Sequence, residues 1–177
     1  MNKLDETLQK IGRNVLAYQR LEVMLKYLIA NCKIEGPVSE LQTSLRQNTE
    51  RVSRKTMGVL VGELDAFLHD GGSVDSQTIN EAEWVSIEIE IEPAVLEQMK
   101  SDLKDIVESR NRLIHSDLSN LNEASEISME KLINSLDEQY DKLLPVYEGV
   151  SKIVQRIPEV YRFMANNLGK IDLTEPR

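Results

Sequence analysis

The stretch LDETLQKIGRNVLAYQRLEVMLKYLI, residues 4–29, decides how the chain reads. Leu4, Leu8, Ile11, Val15, Tyr18, Leu21, Leu25, Leu28 and Ile29 recur at spacings of three and four, and no proline interrupts them. Side chains so spaced share one face of an α-helix, which predicts one long amphipathic helix from residue 3 to about 31. Gly36 and Pro37 in KIEGPVSE, residues 33–40, end it. Further on, residues 38–47 predict a short helix. Residues from about 50 to 69 predict another, with Val52, Leu60, Leu64, Phe67 and Leu68 inward, and HDGGSVDS, residues 69–76, a loop. Pro93 suits the first turn of a helix over 93–116, because its missing N–H has no partner to lose there. SNLNEASEIS, residues 119–128, is a polar connector before Ser128 caps a helical region to about 168, which Pro145 and Pro158 should kink or divide. Gly169 fits a C-terminal cap, and residues 170–177 have little to pack.

One segment breaks the helical pattern. In WVSIEIEIEP, residues 84–93, Val85, Ile87, Ile89 and Ile91 alternate with Ser86, Glu88, Glu90 and Glu92, the period-two pattern of a half-buried strand. A lone strand leaves its backbone groups unpaired, so it needs a partner from the loop before it, a neighbouring subunit or a ligand peptide. The expected fold is a single all-α domain over residues 1–169. It is an antiparallel, up-and-down bundle of four to five helices with a short β-strand or hairpin insertion near 84–92.

Composition narrows the function. At 177 residues and 41% hydrophobic content the chain suits one globular core. No apolar run approaches the ~20 residues of a membrane span, and the start MNKLDETLQKIG lacks a signal-peptide core, so a cytoplasmic protein without membrane contact is expected. Cys32 is the only cysteine, which leaves no internal disulfide and no zinc-ligand spacing. A net charge of −9 argues against broad electrostatic capture of nucleic acid, and no DNA partner is expected. A short basic surface over Arg46, Arg51, Arg54 and Lys55 competes with the plainer reading of a solvated helix face.

Chemistry enters where the core stripes carry charge. Leu96, Met99, Leu103, Ile106, Arg110, Leu113 and Asp117 follow a heptad-like spacing that puts Arg110 on an inward face. An inward guanidinium costs several kcal/mol unless it is paired or opens to water. The first helix places Glu22 in an equivalent break, so a pairing of Glu22 with Arg110 across the bundle is expected; the alternative is that Glu22 rides the margin of a Leu21, Met24, Leu25, Leu28 stripe. Asn111 and His115 are four apart and stack one turn above the other. Arg110 and His115 diverge by about 140° on an ideal helix, so a long side chain or a loosened helix end must bring them together. Chance would produce about 0.1 Arg-x-x-x-x-His matches in such a chain, and fewer with Asn after the arginine.

RNRLIH, residues 110–115, resembles the R-x(4–6)-H signature of HEPN domains (higher eukaryotes and prokaryotes nucleotide-binding), placed late in a helix of a bundle as in that family. The resemblance rests on these six residues and the helical layout, including the charged position Glu22. It implies a homodimer that brings the motif arginines and histidines of both subunits into one cleft, and in many members metal-independent RNA cleavage. His115 would then act as general acid or base, Arg110 would stabilise phosphorane charge, Asn111 would orient a phosphate or the histidine, and Asp117 would hold the imidazole tautomer. The tyrosine that some toxins of the family carry two residues past the histidine is Asp117 here, which departs from control by nucleotide transfer. No metal ligand set and no cofactor motif is expected. The expected partners are a second copy, RNA or a nucleotide, and an antitoxin or regulatory protein. The competing expectation is an inactive bundle of the same kind that binds nucleotide, RNA or protein. His69, beside Asp70 and Gly71, reads as a helix-end residue favoured by the dipole.

Overall fold

The computed structural model describes residues 2–69, 84–88, 91–119, 121 and 125–168. Five α-helices account for most of them: α1 Lys3–Asn31, α2 Leu41–Ser53, α3 Met57–His69, α4 Pro93–Arg112 and α5 Glu126–Leu168. A 3-10 turn, Val38–Glu40, leads into α2, and a π-helical turn, Leu113–Asp117, continues α4. The architecture is an all-α bundle with a small two-stranded antiparallel sheet.

The long stripe of the opening stretch forms α1, capped by the Asn2 side chain, which accepts from the Leu4 N–H at 3.2 Å. Leu21, Leu25 and Leu28 of α1 are fully buried with Leu60 and Leu64 of α3, Leu103 of α4 and Leu136 and Leu143 of α5 in one contiguous core. Each such leucine contributes about 1.5–3 kcal/mol by leaving water. Contacts between α1 and α5 advance together along both helices: Lys3 bonds Glu130, Asn14 bonds the Leu136 carbonyl, and Tyr161 bonds Asn31. The first and fifth helices therefore run parallel, as an alternating bundle with an odd number of members requires.

The strand over Trp84–Glu88, here β2, finds its partner inside the chain. It pairs antiparallel with β1, Lys33–Pro37, in the register Ile34 to Ile87 and Gly36 to Val85. Its partner is thus neither the preceding loop nor a second subunit, and KIEGP is more than a helix breaker. Gly36 has φ 148°, a backbone conformation that side-chain-bearing residues rarely adopt, and Pro37 closes the strand where no further ladder donor is needed. Ile34, Leu41 and Met164 form a small second cluster, with Val85 and Val160 against it, that seats the sheet on the far part of α5.

Other boundaries differ from expectation. The two helices expected over 38–47 and 50–69 are present with the break between them moved: α2 begins at Leu41 and ends at Ser53 with Arg54 as its cap, and α3 starts at Met57. The long helix starts earlier than Ser128, which instead donates its backbone N–H to Ser125 Oγ at 3.3 Å. Pro145 and Pro158 lie within an unbroken α5. Each proline removes one donor at a cost of about 3 kcal/mol. Leu143 and Val146 around Pro145, and Ile157 before Pro158, are buried and hold the helix in place. The expected loop over 70–76, Ile89 and Glu90, most of the connector, Gly169 and the tail lie outside the described residues, as do the Phe67 and Leu68 side chains.

Candidate functional site at the end of α4

The inward stripe of α4 holds. Leu96, Met99, Leu103, Ile106 and Leu113 are buried, and Arg110 is the half-buried interruption. Its Nη1 donates to Asn111 Oδ1 at 3.0 Å. This leaves the Asn111 amide N–H groups directed to exposed surroundings.

The expected Glu22–Arg110 pair is not formed. Glu22 Oε1 accepts from Lys26 Nζ at 3.0 Å and Oε2 from the Met57 backbone N–H at 3.1 Å. The reason lies at the break between α2 and α3. The first N–H groups of α3 have no intrahelical acceptor, and a carboxylate is favoured at the positive end of a helix. Glu22 thus caps α3 from a neighbouring helix. That role was hidden because the sequence pattern ran residues 50–69 together, which concealed the helix start at Met57.

The motif ends on the π turn. The Leu118 N–H donates to the Leu113 carbonyl at 3.1 Å, five residues back. Such a turn rotates less per residue than an α turn, so it swings His115 toward the face of Asn111 and narrows the divergence from Arg110. This is the loosened helix end that the six-residue motif needs. π turns inside α-helices are uncommon and are frequent at functional sites. His115 is exposed, and its backbone carbonyl accepts from Ser119 Oγ at 3.2 Å.

Asp117 does not orient His115; among the described residues no hydrogen bond joins them. Its carboxyl is raised above the usual range by burial, with the Arg112 guanidinium opposing. Arg112 and Asp117 also act on Tyr18, a buried residue of α1 whose hydroxyl donates to Gln139 Oε1 at 3.2 Å. Burial pushes that hydroxyl up to about 12, Arg112 lowers it and Asp117 raises it. Arg112 and Tyr18 were missed in the sequence. Arg112 stands five residues before Asp117, a pairing that the turn's own period makes sensible, and Tyr18 was legible only as a member of the core stripe.

Of the four cations in the basic cluster Arg46, Arg51, Arg54 and Lys55, three are paired. Arg46 pairs with Glu50 at 3.2 Å, Arg51 lies 3.6 Å from Glu63, and Lys55 pairs with the same carboxylate. This matches a solvated, internally paired face better than a basic docking strip. A groove between α4 and α5 reaches Ser109 and Arg112 but is lined by neither Asn111 nor His115, which are exposed outside it. Among the described residues, no group of three or more His, Cys, Asp or Glu is placed to share a metal ion, and no helix is long and apolar enough to cross a membrane.

Comparison with known proteins adds no relative: no protein-family model matches the chain, and neither a curated protein nor a solved structure does.

Proposed function

We propose that the chain is an HEPN-like, metal-independent endoribonuclease that works as a homodimer in the cytoplasm. The observation that supports this is that Arg110 bonds Asn111 and forms no ion pair among the described residues, while His115 lies exposed on the π turn that follows. A purely structural arginine in a core stripe would pair inward, and Glu22, the candidate partner, is engaged elsewhere.

In this reading His115 takes the proton from an RNA 2′-hydroxyl, whose oxygen attacks the adjacent phosphorus. The guanidinium of Arg110 stabilises the charge on the non-bridging oxygens, and the Asn111 amide donates to one of them. A second imidazole is needed to protonate the 5′ leaving oxygen, and the symmetry-related His115 of a dimer supplies it. Exposed Leu4, Leu8 and Leu118 provide apolar surface for such a contact. An antitoxin or regulatory protein fits a toxin or defence role for such an activity.

A second reading is favoured by one observation. No hydrogen bond joins Asp117 to His115 among the described residues, so nothing in the described chain fixes the imidazole tautomer, as a module that binds RNA, nucleotide or protein without cutting would allow. Incubation of mixed RNA with the purified protein in EDTA separates the two. Cleavage leaving 2′,3′-cyclic phosphate ends, lost in His115→Ala and in Arg110→Ala while fold and dimer persist, supports the nuclease. Equal binding by wild type and His115→Ala with no cleavage by either replaces it with the binding module.

A further inference from the structure

Apart from the groove beside α4, a cavity of about 640 Å3 lies between the start of β1 and one face of α2, within the roughly 300–1,000 Å3 of small-molecule sites. Ile29 at the end of α1 and Ile34 of β1 supply apolar lining. On α2 the lining is Ser44, Gln47, Asn48 and Arg51. Their spacing puts these hydrogen-bonding side chains on one helix face.

Hydrogen-bonding capacity here goes unused by the chain in two places. Asn48 interrupts the apolar run Leu41, Leu45, Asn48, Val52, where an aliphatic side chain would complete the stripe packed against the core. It is half-buried, and neither it nor Ser44 or Gln47 makes a side-chain hydrogen bond among the described residues. The other place is Glu63 of α3, which also lines the cavity. Its Oε2 is the one sheltered side-chain oxygen among the described residues without a hydrogen-bond partner. Lys55 bonds Oε1, while Arg51 Nη1 stops 3.6 Å from Oε2, within ion-pair reach but too far for a hydrogen bond. A sheltered acceptor left in this way calls for a donor.

The lining selects against a charged occupant. Lys33 and Arg51 are offset by Glu35 and Glu63, and Glu63 already has the cations of Lys55 and Arg51 beside it, so a ligand ammonium gains little. An anion meets two carboxylates. No aromatic side chain among the described residues lines the cavity, so a flat base or ring finds nothing to stack on. A neutral group that donates and accepts at once suits it best. A hydroxyl set between Glu63 Oε2 and Arg51 Nη1 donates to the first and accepts from the second, and the Gln47 and Asn48 amides offer both roles to neighbouring hydroxyls. We infer that this cavity binds a neutral polyhydroxylated molecule of monosaccharide to disaccharide size, held by Ser44, Gln47, Asn48, Arg51 and Glu63. Asn48 then occupies its stripe position for the ligand and not for the fold. The inference is independent of what the Arg110 and His115 motif does.

An NMR titration of the full chain follows its backbone amides as D-glucose, D-galactose, D-ribose and sucrose are added in turn. With at least one of them, the amides of Lys33 to Glu35 and Ser44 to Arg51 should shift saturably, with a Kd of about 1–20 mM. Asn48→Leu completes the apolar stripe, so its melting temperature should hold or rise while its Kd rises at least about 10-fold. Glu63→Gln should weaken binding to a similar degree. No saturation by about 200 mM with any of the four sugars overturns the proposal. So does an unchanged Kd in Asn48→Leu, and so does a clear fall in its melting temperature, which would assign the amide to the fold. A shift of the same amides by inorganic phosphate and by none of the sugars overturns it too, because the site would then take anions.

Discussion

The seam between α1 and α5 and the end of α4 draw on the same residue types, yet they treat polar groups in opposite ways. Along the seam the buried polar side chains are hydrogen-bonded, several of them by the facing helix. Asn14 is buried and donates to the Leu136 carbonyl at 2.8 Å. Lys10 and Arg13 converge on Asp137, and Arg13 also lies over the Tyr140 ring at 4.1 Å. Near the far end Tyr161 bonds Asn31, and burial holds its hydroxyl well above the ordinary tyrosine range. At the end of α4, Arg110 bonds only the next residue among the described residues, and His115 is exposed. The seam answers its polar groups from within the chain, whereas Asn111 and His115 at the end of α4 are left to solvent.

The comparison can be broken by mutation. The largest expected effect belongs to the seam. Asn14→Ala removes two hydrogen bonds and leaves a small cavity, and should cost about 2–3 kcal/mol in chemical denaturation. A loss below about 0.5 kcal/mol would mean that the seam is no more tightly answered than the motif. Glu22→Ala comes next, because it uncaps α3 and frees Lys26. A loss of about 1–2 kcal/mol is expected, with amide exchange rising first at Met57 and Gly58.

Smaller still is the coupling between Glu22 and Arg110. Arg110→Ala should cost less than about 1 kcal/mol, and a double-mutant cycle with Glu22→Ala should be additive within about 0.5 kcal/mol. A coupling of about 2 kcal/mol would restore the pairing that the stripes alone suggested.

The smallest effect is one of pH. The bond from Lys10, then that from Arg13, holds the Asp137 carboxyl below its ordinary 3.8 although desolvation opposes them. A carboxyl lowered on folding stabilises the fold above its unfolded value, and that contribution disappears as pH falls through the folded value. Its side chain is 41% exposed, so solvent screening limits the contribution to below about 1 kcal/mol. Asp137→Asn should flatten stability between about pH 5 and 2 without altering it at pH 2.

The sequence showed most where one periodicity governed a long run. The bounds expected for α1 match, α4 begins at Pro93 as its proline suggested, and the alternating residues at 84–88 form a strand. It failed where structure depends on a distant partner. Gly36 and Pro37 are poor strand residues by local preference, and only pairing with Val85 and Trp84 makes β1 of them. The break between α2 and α3 has no glycine or proline to announce it, and the Glu22 cap went unseen with it. At the candidate site the stripe predicted Arg110's half-buried position but not what surrounds it. The Arg112, Asp117 and Tyr18 group forms across two helices and through a turn of irregular period, which neither the 3.6 nor the 2 repeat describes.

That turn has a consequence for how relatives of this chain will be compared. A π turn fits one more residue into the last turn of α4 than an α turn would, with no loop to mark it. Two chains that differ by one residue between Leu113 and Asp117 can keep the same imidazole on the same face, one through a wide turn and one through a regular one. An aligner that penalises gaps inside helices will place their histidines out of step. The spacing between arginine and histidine is therefore better counted in turns than in residues.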